Sequence, residues 1–208
     1  MPIERGYAMA EVPQCSMTVP TLTVVSGPPG TGKTTLAHKI AQVVGCPAII
    51  RDEIKQGMVL AAPGHDPSGD DPLNLPTLDA FFGVLTVLVK AGVTSVAEAA
   101  FQDRLWRPTL QPLVALADIR VIRCTVDASV ALDRIAGRAD LDIRRAAHGD
   151  ADLLKAIAAG RHTIDSWVPI AMDLPTLIVD TSDGYHPAIP DIVKFIGQPA
   201  GATAHPTT

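Results

Sequence analysis

A short apolar run, Leu22-Thr23-Val24-Val25-Ser26, is followed by Gly27-Pro28-Pro29-Gly30-Thr31-Gly32-Lys33-Thr34 and then by a helix-forming stretch, Thr34–Val44, that stops at Gly45. The spacing G-x-x-x-x-G-K-[ST] between a strand and a helix is that of a phosphate-binding loop, or P-loop. Glycines let backbone N–H groups converge on phosphate oxygens, and the helix behind them adds unpaired N–H groups and its positive dipole end. Lys33 is expected to set a point charge on the β- and γ-phosphates, and the Thr34 hydroxyl to hold Mg²⁺. Gly27, Pro28, Pro29, Gly30, Thr31, Gly32, Lys33, Thr34 and Thr35 together form the expected cradle of a nucleoside triphosphate, ATP with Mg²⁺. A glycine turn with a chance lysine is the competing reading, which the strand–loop–helix context disfavours. No N-K-x-D guanine-reading motif follows, which points away from GTP.

Further polar residues stand at strand ends and on one helix face. The second expected strand, Ala48–Ile50, runs into Arg51-Asp52-Glu53-Ile54-Lys55. Phosphoryl transfer needs positioning, charge stabilisation and one group to orient or deprotonate the acceptor. A carboxylate at the C-terminal end of a strand lies in the crevice where parallel sheets bind ligands. Asp52 meets that description, and it is equally an ordinary helix N-cap type. Glu98 ends the third strand, where a carboxylate would hold Mg²⁺ through water or contact a substrate, or simply face solvent. Arg134 and Arg138 are i, i+4 on one helix and share a face. A planar, permanently charged fork can stack on a base or bind phosphate oxygens bidentately, although two surface arginines would look the same. Asp127 reads as a helix cap, with Asp103 and Arg104 as weaker site candidates. Phe101, Trp106 and Trp167 are core or pocket wall, core being the commoner fate.

The elements that must position these residues follow from periodicity. Strands are expected over Leu22–Ser26, Ala48–Ile50, Val93–Ala97, Ile119–Val126 and Leu174–Val179. Helices are expected over Thr34–Val44, Asp52–Leu60, Leu78–Gly92, Leu105–Ala117 (interrupted by Pro108 and Pro112), Ala128–Arg138 and Ile189–Ile196. Residues 62–76 are dense in turn formers and predict a mobile loop. This alternation predicts a three-layer α/β/α sandwich around a five-stranded parallel sheet. Residues 20–197 would form one domain, with 1–19 a flexible leader and 198–208 a disordered tail. A net charge of −5 without a block of Lys or Arg argues against a broad nucleic-acid or membrane surface. Three scattered cysteines without C-x-x-C suggest neither a disulfide framework nor zinc, and the six histidines lack metal-ligand spacing. Without a signal-like start or 18 continuous apolar residues, a cytoplasmic protein with no membrane span is expected.

With these residues in place the chain resembles the small P-loop kinases that include polynucleotide 5′-kinases, the zeta-toxin group and chloramphenicol phosphotransferase. The likeness runs over about residues 22–196 and rests on element order and spacing beyond the P-loop itself. It implies a P-loop NTPase fold of nucleoside-kinase type and Mg²⁺-dependent transfer of the ATP γ-phosphate to a small-molecule hydroxyl, in a monomer or homodimer. It places the proton-accepting base on Asp52, with Arg51 or Lys55 contacting substrate or phosphate and an acidic residue at Glu98. It also implies a lid near 139–166, one arginine of the Arg134/Arg138 pair against adenine and the other reaching the phosphates, with Arg144 and Arg145 as alternatives. Thr181 and Ser182 would border the adenine. The spelling Gly-Pro-Pro-Gly-Thr-Gly-Lys-Thr-Thr also resembles the P-loop of AAA+ ATPases. Those follow with a strand ending in adjacent Asp-Glu, and here the strand ends Ser95-Val96-Ala97-Glu98. The chain is also short for an AAA+ core with its helical subdomain. A nucleotide or polynucleotide acceptor is the main variant, and the acidic balance argues against a long strand.

Overall fold

The computed structural model describes residues 19–62, 71–139, 150–161 and 166–198. Five strands, β1 (Thr21–Ser26), β2 (Ala48–Ile50), β3 (Ser95–Glu98), β4 (Asp118–Thr125) and β5 (Thr176–Asp180), form one parallel sheet in the order β2-β3-β1-β4-β5. Seven α-helices are seen among the described residues: α1 (Lys33–Val44), α2 (Arg51–Leu60), α3 (Asn74–Lys90), α4 (Asp103–Leu110), α5 (Ala128–Ala139), α6 (Asp150–Ala158) and α7 (Ile189–Ile196).

Side chains alternate across a strand, so a strand buried on both faces reads as a continuous apolar run. Along β1, Leu22 and Val24 join one core with Leu78, Phe81, Phe82 and Leu85 of α3 and Trp106 and Leu110 of α4. Val25 joins the opposite core with Leu36, Ala37 and Ile40 of α1 and Ile192 and Ile196 of α7. The expected three-layer α/β/α sandwich is thereby realised. Phe81, Phe82, Phe101 and Trp106 pack as an aromatic cluster with centroid separations of 5.0–6.4 Å. Phe101 and Trp106 therefore belong to the core, and Phe101 holds a φ of 45° that bulky residues rarely adopt.

Three boundaries differ from the sequence reading. The loop expected over 62–76 ends earlier, because α3 starts at Asn74 and takes Pro76 into its first turn. First-turn N–H groups have no intrahelical acceptor, so proline is tolerated there. The helix expected over Leu105–Ala117 splits into α4, which runs through Pro108, and a 3-10 turn over Gln111–Ala115 that opens with Pro112. Finally, β3 starts at Ser95 and not at Val93, and it runs to Glu98, the paired strand end that was expected. Residues 1–18 of the expected leader, 63–70 of the expected loop, 199–208 of the expected tail and half of the expected lid (140–149 and 162–165), including Arg144 and Arg145, lie outside the described residues.

Candidate functional site

β1 leads into the crevice where chain connections turn to opposite sides of the sheet, β3 and β2 on one side and β4 and β5 on the other. Ligands of open parallel sheets bind at such a switch point. The loop over residues 27–32 fills it. Gly27 and Gly30 have φ of 148° and 83°, and a Cβ on either would meet a backbone carbonyl, that of Cys124 or Ala131, at 2.7 Å. Burial pushes the Cys124 thiol up to about 12, so the sulfur behind the loop is inert. Thr31 is buried and donates to the Pro28 carbonyl at 2.9 Å, which braces the turn from inside. Gly32 caps α1 with no side-chain hydrogen bond, and the first turn of α1 carries no acid. The N–H groups of that turn are thus available to an anion.

Register brings a second strand end against the loop. Val25 pairs with Glu98, so the carboxylate sits beside the P-loop and is only 1% exposed. Thr34 Oγ1 donates to Glu98 Oε2 at 2.8 Å, and Lys33 Nζ lies 4.0 Å from Oε1. Burial pushes the Glu98 carboxyl above its ordinary range. Lys33 pulls it down, Asp52 pushes it up, the Thr34 hydrogen bond pulls it down and Glu53 pushes it up. Mg²⁺ takes oxygen ligands and is held by one or two protein groups together with phosphates and water. The Thr34 hydroxyl and the Glu98 carboxylate supply two oxygens of that kind side by side. Among the described residues no cluster of three or more His, Cys, Asp or Glu side chains could hold a metal.

The far wall of the cavity comes from α5 and the loop after β5. Arg134 Nη2 donates to the carbonyls of Thr181 (2.6 Å) and Ser182 (3.2 Å). Its Nη1 reaches Thr181 Oγ1 at 3.4 Å and the Gly30 carbonyl at 3.5 Å. The buried Thr181 hydroxyl donates to the Thr31 carbonyl at 2.8 Å and lies 3.1 Å from that of Thr125. Thr181 therefore ties the P-loop, β4, α5 and the β5 loop together. Ser182 Oγ accepts from the Asp127 N–H at 3.0 Å, and the Ser182 N–H donates to Asp180 at 2.8 Å; hydrogen bonds from the Ser182 backbone and side chain hold the Asp180 carboxyl below its usual range. The space enclosed is about 450 Å³. Lys33, Lys39 and Arg134 line it, with Thr34, Thr35 and Tyr185, and no carboxylate is among the described lining residues. A cationic cavity in a chain of net charge −5 is selective for an anionic ligand.

Asp52 stands on the other side of Glu98. The N-cap of α2 is Ile50 in extended conformation, so Asp52 occupies the second helical position and the N-cap reading is corrected. Arg51 Nη1 donates to Asp52 Oδ1 at 3.1 Å, and Arg51 Nη2 donates to Asn74 Oδ1 at 3.0 Å. Lys55 faces elsewhere: its buried ammonium pairs with Asp71 at 2.5 Å and donates to Asn74 Oδ1 at 3.0 Å. Lys55 thus pins the start of α3 under α2, while Arg51 stays beside Asp52. Asp103 takes a supporting role, accepting from the Ala171 N–H at 2.7 Å. Trp167 donates from Nε1 to the Ala100 carbonyl at 2.8 Å. These two contacts stitch the segment before β5 onto the loop after Glu98. Arg138 lies on α5, but its side chain is outside the described residues.

Lys39 and Tyr185 escaped the sequence reading. Lys39 is i+4 from Thr35 and so shares its helix face, a signal that was legible. Tyr185 is brought in by the turn at Gly184, and the Lys39 ammonium stands 5.0 Å over its ring, a cation–π contact.

Several known proteins share parts of this arrangement. Uncharacterized protein Rv2004c of Mycobacterium tuberculosis is 27% identical over 147 residues, which cover 66% of this chain and 28% of that protein. The match therefore spans little more than a quarter of that relative's length. A crystal structure from Chloroflexus aurantiacus, described as that of a kinase candidate, superposes with a TM-score of 0.70 at 23% identity, covering 86% of this chain and 97% of that one. A sugar kinase from Janibacter sp. HTCC2649 superposes with a TM-score of 0.58 at 18% identity, covering 90% and 100%. At such identities these superpositions speak to the fold, a P-loop NTPase sandwich of the kind kinases use. The sequence itself gives the finer placement: residues 22–161, about two thirds of the chain and the stretch from β1 through α6, match the family model described as AAA domain. By that match, and with its P-loop formed between β1 and α1, the chain belongs to the AAA domain family.

Proposed function

We propose that this chain is an ATP- and Mg²⁺-dependent phosphotransferase that moves the γ-phosphate of ATP to a hydroxyl of a small molecule. One observation carries the reading. Three adjacent strand ends, β1, β3 and β2, present in spatial order the phosphate cradle, the buried Glu98 and then Asp52. Simple nucleotide binding has no use for the third.

In this reading Lys33 and Arg134, joined by Arg138, stabilise charge on the transferring phosphoryl group. Thr34 and Glu98 would hold Mg²⁺, which neutralises charge between the β- and γ-phosphates when bound. The acceptor oxygen bonds to the γ-phosphorus as the bond to the β–γ bridging oxygen breaks, and Asp52 takes the hydroxyl proton. Arg51 orients Asp52 and meets the acceptor. Thr181, Ser182 and Tyr185 border the base. Residues 20–197 act as one domain, and the segment near 139–166 closes over the nucleotide as a lid. The Janibacter protein's description as a sugar kinase makes polyols the first acceptors to screen. Resemblance to the polynucleotide kinase group adds nucleotides.

The test is ADP release against an acceptor panel, with wild type and Asp52→Asn in parallel. Asp52→Asn should lower acceptor-dependent turnover by roughly 10²–10⁴-fold while ATP binding is kept. Full transfer activity in that variant would remove Asp52 as the base. The AAA domain match favours a second reading, acceptor-independent ATP hydrolysis. A ring by light scattering, with hydrolysis indifferent to every acceptor, would select it.

A further inference from the structure

The outer face of α3 is apolar and largely exposed. At 100° per residue, Ala80, Gly83, Val84, Val87 and the cap residue Ala91 fall within an arc of about 100°. The opposite arc of the helix, with Leu78, Phe81, Phe82, Leu85 and Val89, is buried in the core. Val84 is 40% and Val87 68% exposed. No charged residue occurs between Asp79 and Lys90.

Gly83 is the unexpected member. A glycine inside a helix is less favourable than alanine. A Cβ built on Gly83 would meet nothing within 4 Å, so the chain's own packing does not require the glycine. A second helix crossing close above it would, because small residues let helix axes approach to about 8 Å.

The flanking charges say what that second helix is. Asp79 and Lys90 are both exposed and lie on the same flank of the stripe, about 20° apart around the axis. They stand about 16 Å apart along it. Their midpoint falls between residues 84 and 85, and the midpoints of Val84 with Val87 and of Ala80 with Ala91 fall just beyond. A two-fold axis near residue 85 therefore lays the stripe on its own copy, running antiparallel. It brings Asp79 of each copy opposite Lys90 of the other, twice. We infer that α3 pairs with α3 of a second copy of this chain, forming a two-fold homodimer. One helix pair covers less than the roughly 800 Å² per partner of a standard interface, so dissociation falls on the order of 1–100 μM.

Sedimentation equilibrium of the full chain across that range tests the pairing. Wild type is expected to shift from monomer to dimer, and Val87→Glu to stay monomeric. Gly83→Leu should raise helix propensity and still abolish the dimer, which separates loss of pairing from loss of folding. Asp79→Lys alone, or Lys90→Asp alone, sets two like-charge contacts in each dimer and should weaken association about tenfold. The double reversal should restore it. A chain that stays monomeric at about 100 μM overturns the inference. So does a dimer indifferent to Gly83→Leu, or a double reversal no tighter than the single ones.

Discussion

Gly30→Ala probes how closely the P-loop leans on α5. The new Cβ would stand 2.7 Å from the Ala131 carbonyl oxygen and 2.9 Å from both its Cα and Cβ. Two of those atoms are helix backbone, so no rotamer change relieves the contact. The φ of 83° adds a left-handed penalty of about 1–2 kcal/mol for alanine, and overpacking against a helix adds about 1–3 kcal/mol. The sum, about 2–5 kcal/mol, is a large part of a total stability near 5–15 kcal/mol. For a domain of this size each kcal/mol is worth about 2–4 °C, so the Tm should fall by roughly 10 °C. Gly45→Ala supplies the control. Its φ is 78°, but a Cβ there meets nothing within 4 Å, so only the backbone penalty applies. Thermal melts of both variants with and without ATP and Mg²⁺ separate packing from backbone strain. Gly45→Ala should keep the full nucleotide-induced rise in Tm and Gly30→Ala should lose it. Equal melting temperatures with equal nucleotide responses would refute the packing argument.

Glu98→Gln tests the buried carboxylate. Its folded pKa is raised above 4.5, so its contribution to stability is fully present below that value and is lost as pH rises through the folded pKa. The variant should melt higher than wild type near pH 8, show no such gain near pH 4, and lose Mg²⁺-dependent stabilisation by ATP. A lower melting temperature near pH 8 would contradict it. Thr181→Val keeps the shape but removes the donor to Thr31, and should cost about 1–3 kcal/mol and weaken ATP binding. Unchanged affinity in an ATP titration would deny Thr181 its role in setting the loop. Lys55→Met takes the ammonium from the buried Asp71 carboxylate and should cost about 3–5 kcal/mol in urea unfolding. A loss below about 1 kcal/mol would mean the pair is solvated.

What the sequence revealed and what it hid divide by distance along the chain. The P-loop is spelled in contiguous residues, and its strand, helix and glycines stand where the spacing puts them. The parallel sheet was legible because strands alternate with helices and β1 carries apolar residues on both faces. Glu98 needed more: its place beside Thr34 depends on the pairing of Val25 with Glu98, and register is not written in either strand alone. The role of Lys55 was hidden because its partners Asp71 and Asn74 lie in what reads as loop. Thr181 reads as a contact for adenine, and its hydroxyl also holds backbone carbonyls that no composition rule could name. Tyr185 reaches the cavity through a turn made by Gly184, and nothing in its neighbours announces that.

The bond from Thr181 to Thr31 closes over 150 residues of chain. A ribosome adding roughly 5–20 residues per second takes about 7–30 s to travel from one to the other. Through that interval the loop lacks its Thr181 brace, and from the completion of β4 until β5 follows, β4 shows a bare parallel edge where β5 will dock. A nascent chain at that stage is open to edge-to-edge pairing with its neighbours on a polysome, and a chaperone that masks β4 would protect it. The nucleotide cavity, begun at the loop after β1, is finished only at the loop after β5.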